Sequence, residues 1–472
     1  MSQTHLNTVY LSKLCFIVAL GGFLFGFDTA VISGTISLVT DQFSLDAVTS
    51  GLYVSCALAG CMLGVVTAGL LSDRFGRKKM LIISGVLFLL SALGCMVASN
   101  FDWLIISRFI GGIAVGFASI LSPMYISEIS PAHMRGRLVS LYQLAITIGI
   151  LTAYFSNSFL LNLHETIILP QSIIFTDPWR MMLGAELVPA LCFIVLLFFV
   201  PRSPRWLIQQ NFRSEAQKVL QKIANKTDVD YQISEIEASL KHETGGFKEL
   251  VSLKVRRALF VGIILSLFVQ FSGINAIIFY GPDIFERAGF TLSDALGGQV
   301  SIGVVNVLFT LLAIYKIDDW GRKKLLLIGS IGVITSLLVI ALLFWLELDQ
   351  AWLLISFLLI FIASFACALG PVNWVILSEI FPNKVRSKAM AVASLSVWFG
   401  TMLVGQFFPI MIEKFGSSGT FLAFAIISMP LLIIIMKLLP ETKDKTLEEI
   451  ERLWDNNTNI RTNKDVSLAS DV

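Results

Sequence analysis

The sequence predicts an all-α membrane protein with twelve transmembrane helices in two pseudo-symmetric halves of six. Three observations lead to this fold class: the composition, the spacing of apolar stretches and an internal repeat. Of the 472 residues, 56% are hydrophobic and only 14% are charged, and the mean hydropathy is +0.79. Soluble domains hold about 25% charged residues, so the composition excludes a soluble enzyme and indicates a chain largely embedded in lipid.

Apolar stretches of roughly 20 residues or more, the length that crosses a bilayer, are bounded by charged residues or by proline and glycine. Their approximate limits are 14–36, 49–71, 80–99, 103–127, 138–161, 181–200, 257–280, 296–316, 325–346, 352–378, 388–412 and 419–439. We predict twelve helices, because barrel strands would alternate in polarity. The first stretch has no small-residue cleavage pattern, which favours a retained helix over a signal peptide.

Lysine and arginine concentrate in the loops that follow the even-numbered stretches. They are Arg74, Arg77, Lys78, Lys79, Arg135, Arg137, Arg322, Lys323, Lys324, Lys384, Arg386 and Lys388. The loops after the odd-numbered stretches are poor in positive charge. Because short cytoplasmic loops carry the excess of positive charge, we predict a multi-pass protein of the cell membrane with both termini in the cytoplasm.

Other classes of function find no support in the sequence. A net charge of +2 indicates no nucleic-acid partner. All six cysteines fall in apolar stretches, so neither a disulfide framework nor a metal site is expected. We predict no cofactor and no enzymatic activity, because the histidines lie in termini or loops. They are His5, His133, His164 and His242.

An internal repeat divides the chain into two halves. The segment Asp73–Lys79 (DRFGRKK) reappears 245 positions later as Asp318–Lys324 (DDWGRKK). The segment Ser127–Pro131 (SEISP) reappears 251 positions later as Ser378–Pro382 (SEIFP). Repeated halves of transporters pack around a substrate site near the bilayer midplane. The predicted organisation is a first half at 1–201, a cytoplasmic linker with short amphipathic helices at 202–256, a second half at 257–440 and a cytoplasmic tail at 441–472.

The motifs resemble those of the sugar porter family of the major facilitator superfamily, and the resemblance extends from Gly21 to Trp454. They are the doubled loop motif, Gln270–Asn275 (QFSGIN), Gly370–Trp374 (GPVNW), Pro440–Lys443 (PETK) and Thr446–Glu449 (TLEE). The segment Phe25–Gly34 (FGFDTAVISG) is most similar to the proton-coupled bacterial members. The resemblance implies the major facilitator fold and a carrier that works by alternating access.

Asp28 lies within an apolar helix, where a carboxylate costs about 2.5 kcal/mol or more unless it is paired or protonated. The candidate partners are Arg108 and Glu186, which also lie among apolar neighbours. The internal repeat aligns Asp28 with Asn275, so only the first half carries an acid here. The resemblance favours proton coupling through Asp28, Arg108 and Glu186. A static ion pair that only holds the first half together is the alternative.

Sugars require polar groups that both donate and accept hydrogen bonds, together with an aromatic surface. The resemblance assigns substrate contacts to Phe25, Gln143, Gln270, Asn275, Asn306, Trp374 and Trp398. Any single amide could instead form an interhelical hydrogen bond. Gln270 and Asn275 are about 140° apart on an ideal helix, so both reach one cavity only if the helix breaks near Ser272 and Gly273.

The second half departs from the family pattern at several positions. Val269 and Phe279 stand where the family often has glutamine and tyrosine, and Val397 and Thr401 flank Trp398. The C-terminal side of the substrate site is therefore expected to be less polar than in the family, which leaves the sugar undetermined.

The repeated loops also predict an ion-pair gate on the cytoplasmic side. Matched charges would bridge the two halves when the carrier faces outward. They are Arg77, Glu128 and Arg135 in the first half and Arg322, Glu379 and Arg386 in the second. Topology alone would need only unspecific lysine and arginine, so the paired glutamates favour the gate.

These residues and the resemblance predict a secondary active transporter that imports a monosaccharide, a pentose or a hexose, together with a proton. Its partners would be the sugar, the proton and the lipid bilayer. A facilitative carrier of a sugar or of an inositol-like polyol is the first alternative, and it would move no proton. A non-transporting sugar sensor is the second, although the 32 residues after Pro440 are short for a signalling extension.

Overall fold

The computed structural model describes residues 7–166, 177–223, 226–242, 252–347, 351–381 and 385–443, and within these ranges every regular element is helical. The predicted tail segment at Thr446–Glu449 lies outside them, as does the side chain of Arg386. Large apolar side chains such as Leu70 and Phe199 are exposed on the outer surface. This apolar surface suits a protein surrounded by lipid.

The first half contains six membrane spans, two of which include short additional helices. Its helices are α1 (Thr8–Val31), α2 (Ile36–Phe43), α3 (Ala47–Phe75), α4 (Arg77–Met96), α5 (Phe101–Ile129), α6 (Ala132–Thr166), α7 (Pro178–Gly184) and α8 (Leu187–Phe198). A turn of 3₁₀-helix at Ile32–Gly34 extends α1. Helices α7 and α8 form one span that is interrupted at Glu186.

The second half follows three helices of the linker. The linker helices are α9 (Pro204–Gln209), α10 (Arg213–Leu220) and α11 (Lys226–His242). The later helices are α12 (Leu253–Phe271), α13 (Ile274–Arg287), α14 (Leu292–Trp320), α15 (Arg322–Trp345), α16 (Ala351–Ser364), α17 (Gly370–Glu379) and α18 (Arg386–Ile433). Helices α12 and α13 form one broken span, and a π-helix at Phe365–Leu369 joins α16 to α17.

The described chain contains eleven helical segments that are long and apolar enough to cross a membrane. The last of them, which includes α18, is 51 residues long, and a straight helix of that length would measure about 75 Å against about 30 Å of hydrocarbon. Gly416 interrupts α18 with a φ of 66° and a ψ of 177°, a conformation that glycine adopts without strain. The interruption divides α18 into two spans, so the predicted twelve-helix fold is confirmed.

The two halves meet through two pairs of long helices. Within the first half α3 packs on α5 and α1 packs on α6; within the second half α12 and α15 both pack on α18. Between the halves α3 packs on α18 and α6 packs on α14. We call the side of the membrane that carries the start of α1, the linker and the repeated loop motifs the linker face, and the other side the opposite face.

Two pairs of glycines bring α3 and α5 into backbone contact. Gly60 and Gly64 on α3 face Gly112 and Gly116 on α5, and each pair is spaced four residues apart. A Cβ at Gly112 would lie 1.9 Å from the carbonyl oxygen of Ala57. Small residues at such spacing let membrane helices pack closely in the absence of a hydrophobic driving force.

The linker helices form a small core of their own beneath the first half. Their buried apolar residues are Trp206, Leu207, Ile208, Ala216, Leu220, Val229 and Ile233. The indole nitrogen of Trp206 donates to the carbonyl oxygen of Asp73 at 3.0 Å. The backbone N–H of Asn7 donates to the carbonyl oxygen of Ile223 at 2.9 Å. These bonds tie the linker to the first half.

We expect Gly112→Ala to destabilise the protein by about 1–3 kcal/mol, because the added methyl group forces apart two backbones in contact. The matched control is Gly69→Ala on α3, where a Cβ meets no atom within 4 Å. The thermal unfolding midpoint in detergent should fall for the first variant and stay or rise slightly for the second. Equal midpoints for both variants would show that the contact between α3 and α5 yields easily.

Candidate functional site

A buried cluster of charge lies between α1, α5 and the α7–α8 break. Arg108 Nη1 is 2.7 Å from Asp28 Oδ1, and Arg108 Nη2 donates to the backbone oxygen of Asp28 at 3.3 Å. Asp28, Arg108 and Glu186 are each only 2% exposed. The predicted acid and both of its predicted partners therefore come together, and we call these three residues the charge triad.

Glu186 reaches the triad because its span is broken there. Pro189 has no N–H and its ring clashes with the carbonyl of Ala185, which interrupts the helix where Glu186 lies. Glu186 interacts electrostatically with both Asp28 and Arg108. Glu186 Oε1 and Arg108 Nε are buried and have no hydrogen-bond partner among the described residues. The guanidinium thus retains a donor, and Glu186 an acceptor, that this conformation does not use.

The charge balance of the triad defines its chemistry. With both acids ionised, two negative charges accompany one positive charge in a region shielded from water. One added proton makes the triad neutral, and electrostatics in such a low-dielectric setting strongly favour neutrality. The arrangement can therefore accommodate one added proton without leaving a net charge in the interior.

A cluster of polar side chains forms at the predicted break in the seventh span. Gly273 adopts a φ of 85°, which ends α12 and starts α13 in a new direction. Asn275 Nδ2 donates to Gln270 Oε1 at 2.7 Å and to Thr401 Oγ1 at 3.3 Å. The predicted break is confirmed, and it brings Gln270 and Asn275 together as expected. We call Gln270, Asn275 and Thr401 the amide cluster.

An aromatic pair joins the two halves close to these polar groups. The ring centroids of Phe25 on α1 and Trp398 on α18 are 5.3 Å apart, with the planes tilted by 44°. Phe25 lies one helical turn before Asp28, and Trp398 lies one turn before Thr401. The aromatic pair therefore lies within one helical turn of both the charge triad and the amide cluster.

The remaining predicted substrate residues are partly accessible and are not bonded to this group. Gln143 and Asn306 are half-buried, and Trp374 is 38% exposed. None of the three makes a side-chain hydrogen bond or ring contact with another described residue. Two amides and an indole are thus left available to a ligand, and their predicted role stays a prediction.

The structure also decides the positions that depart from the family pattern. Val269 and Val397 are 1% and 8% exposed, so both side chains pack inside the protein in this conformation. Thr401 joins the amide cluster although the sequence analysis notes it only as a departure. Its hydroxyl also donates to the carbonyl oxygen of Val397 at 2.9 Å, and no sequence pattern marks its contact with Asn275.

The repeated loop motifs form the same ion pair in each half. Arg77 Nη2 lies 3.0 Å from Glu128 Oε1, and Arg322 Nη2 lies 2.9 Å from Glu379 Oε1. The hydroxyl of Ser203, at the start of the linker, donates to Glu128. In the second half the additional contact is made by Glu441, which accepts hydrogen bonds from the backbone N–H groups of Arg322 and Lys323 at 3.2 and 3.1 Å.

The predicted gate is not assembled in this conformation. Both ion pairs join residues of one half, whereas the prediction places bridges between the halves in the outward-facing state. Arg135 is exposed and makes no described ion pair, and the side chain of Arg386 lies outside the described part of the chain. The gate therefore stays a prediction.

The side-chain hydrogen bonds described between the halves all lie toward the opposite face. Ser55 donates to Gln406 Oε1 at 2.6 Å, and Gln406 Nε2 donates to the carbonyl of Val48 at 3.1 Å. Tyr154 donates to the carbonyl oxygen of Ile278 at 3.1 Å. Pro282 frees that carbonyl by lacking the N–H that would complete the helix. No motif in the sequence marks these hydrogen bonds, so they were not predicted.

Comparison with known proteins identifies the family. The family model described as "Sugar (and other) transporter" matches residues 14–454. The arabinose-proton symporter of Bacillus subtilis is 41% identical over 436 residues, which cover 92% of this chain and 93% of the relative. The D-xylose-proton symporter of Escherichia coli is 38% identical in a match that covers 97% of this chain and 98% of the relative.

A solved structure supports the same family assignment. The xylose transporter XylE of E. coli, in a partially occluded inward-open conformation, matches with a TM-score of 0.82 at 35% identity, covering 93% of this chain and 100% of that chain. The match in fold accompanies the match in sequence along nearly the whole length. The chain therefore belongs to the sugar transporter family of the major facilitator superfamily, whose members are multi-pass membrane transporters.

Proposed function

We propose that this protein is a secondary active transporter that imports a monosaccharide, a pentose or a hexose, together with a proton. The observation that carries the proposal is the buried charge triad beside the aromatic pair and the amide cluster. A group that exchanges one proton thus adjoins groups suited to a sugar. The relatives named as arabinose-proton and D-xylose-proton symporters support this assignment.

The roles of individual residues follow from their chemistry. Asp28 takes the proton. Arg108 and Glu186 hold the Asp28 carboxylate in a position where the charge of that carboxylate depends on the conformation. Gln143, Gln270, Asn275 and Asn306 exchange hydrogen bonds with sugar hydroxyls, whose desolvation costs free energy unless each hydroxyl is paired. Phe25, Trp374 and Trp398 supply flat surfaces for the apolar face of the ring. These residues bind the sugar and carry the proton, and we assign no enzymatic step to them.

We propose that the protein lies in the cell membrane with the linker face and both termini in the cytoplasm. The concentration of lysine and arginine in the loops of that face supports this orientation. The conformation is then inward-facing, because the described side-chain bonds between the halves lie toward the opposite face. The similarity to an inward-open conformation of XylE agrees with this reading.

Alternating access requires two sets of contacts to exchange. In the inward-facing state Ser55, Gln406 and Tyr154 hold the halves together on the extracellular side. In the outward-facing state these bonds break, and we propose that Arg77 and Glu128 meet Arg322 and Glu379 across the cytoplasmic side, with Arg135 and Arg386 completing the gate. The sugar and proton sites remain in place while access changes sides.

Asp28→Asn should abolish uphill sugar uptake in proteoliposomes and retain sugar exchange, because exchange requires the cavity and not the proton. One proton crossing 100 mV provides about 2.3 kcal/mol, enough for roughly 50-fold accumulation. Asp41→Asn is the matched control, since it removes an exposed acid outside the triad. Retained accumulation in Asp28→Asn would remove Asp28 from the coupling mechanism.

Asn275→Ala should weaken sugar binding by about 1–3 kcal/mol, because it removes the donor that organises the amide cluster and leaves a hydroxyl unpaired. Isothermal calorimetry across aldopentoses and aldohexoses, starting with arabinose and xylose, measures the change. Asn162→Ala, an exposed asparagine on α6, should bind like the unmodified protein. Equal affinity in both variants would place Asn275 in the scaffold and not in the site.

A further inference from the structure

A small cavity adjoins Asp28 and Arg108 of the charge triad. Asp28 and Arg108 form one wall, and Val54 and Leu58 of α3 form another. The lining residues belong to the first half with one exception, Phe279 of α13. The cavity has room for about one water molecule. At this cavity an aromatic ring of the second half covers the charge triad of the first half.

The ring of Phe279 is held in place from both sides. The residue is 1% exposed, and the preceding carbonyl, that of Ile278, accepts the hydroxyl of Tyr154 from the first half. The hydroxyl of the following residue, Tyr280, donates to the carbonyl of Gly405 on α18 at 2.7 Å. One of these bonds crosses between the halves, and the other keeps α13 attached to α18.

Gly405 explains how the ring fits between the halves. A Cβ at this position would lie 3.1 Å from Val54, 3.3 Å from Leu58 and 3.8 Å from Phe279. The missing side chain lets α18 approach α3 at the level where Phe279 covers the cavity. Phe279 therefore lies in the closed extracellular contact between the halves.

We propose that Phe279 seals the proton site from the extracellular side and that α13 links this seal to the sugar site; the inference rests on the proposed function. Protons move along water or polar groups, and a phenyl ring offers neither. Asn275 lies one helical turn before Phe279 on the same short helix. A displacement of α13 therefore changes the amide cluster and the proton seal together.

The described contacts define when the seal opens. As the halves separate on the extracellular side, the bond from Tyr154 to Ile278 breaks. The bond from Tyr280 to Gly405 keeps α13 moving with the second half, so Phe279 leaves the cavity and Asp28 becomes accessible to extracellular protons. The proton site thus opens in the same movement that exposes the sugar site.

Phe279→Ala should produce a proton leak that needs no sugar. In proteoliposomes with an imposed pH gradient and a pH-sensitive dye, sugar-independent proton flux should rise several-fold over the unmodified protein. The double variant Phe279→Ala with Asp28→Asn should return the flux to background, because the leak passes through Asp28. Phe285→Ala is the matched control: it removes an equally buried ring of α13 that packs on Phe290 and does not line the cavity.

Cys61 gives a second measurement, because it lines the same cavity and is 2% exposed. A small thiol reagent added from outside, followed by mass spectrometry of the Cys61 peptide, should show faster modification in Phe279→Ala than in Phe285→Ala. Phe279→Leu replaces the alanine variant if the latter is not monodisperse in detergent. This measurement reports access to the cavity and does not depend on transport.

The outcomes separate this inference from the proposed function. A proton-tight Phe279→Ala protein with unchanged Cys61 reactivity would overturn the seal, whereas sugar-driven proton uptake by the unmodified protein would leave the symporter intact. A leak that persists in the double variant would likewise overturn the route through Asp28. Absence of sugar-driven proton uptake in the unmodified protein would instead refute the proposed function.

Discussion

A charge that cannot reach water must find its partner inside the protein, and this constraint organises the first half of the molecule. The 2.7 Å pair between Asp28 and Arg108 joins α1 to α5. Gly111 lets α5 approach α4 beside this pair, since a Cβ there would lie 2.5 Å from the hydroxyl oxygen of Ser91. The glycine contacts between α3 and α5 close the same region against lipid. Tight packing therefore keeps water from the ion pair, and the ion pair neutralises the charges that this packing buries. Either charge without its partner would destabilise the protein.

The interruptions in the spans coincide with the polar groups that act. Backbone groups in lipid must be satisfied within the protein, so a broken helix is tolerated only where other protein atoms or an aqueous cavity replace its hydrogen bonds. The break before Pro189 carries Glu186, the break at Gly273 carries the amide cluster, and the carbonyl freed by Pro282 receives Tyr154. At these three places an interruption coincides with a group to which we assign a role in binding or movement.

Much of this architecture could be predicted from the sequence, because span length, loop charge and the repeat are local properties. The position of the buried acid and the break at Gly273 were equally visible, since an acid in an apolar run and two amides five residues apart each require a specific geometry. Apart from the partners of Asp28, the choice of partner across helices was not visible. The contact of Thr401 with Asn275 and the burial of Val269 depend on how α18 packs against α12 and α13. The bonds of Gln406 and the arrangement of Arg77 with Glu128 depend also on the conformational state.

The linker is attached to one half of the protein. Trp206, Ser203 and Ile223 bond to Asp73, Glu128 and Asn7, all of which belong to the first half. When the halves rock, α9 and α10 therefore travel with the first half as a rigid extension on the linker face. A fluorophore attached to these helices and a second one at the end of α15 on the linker face would form a built-in distance sensor, reporting each transport cycle without any label near the sugar or the proton.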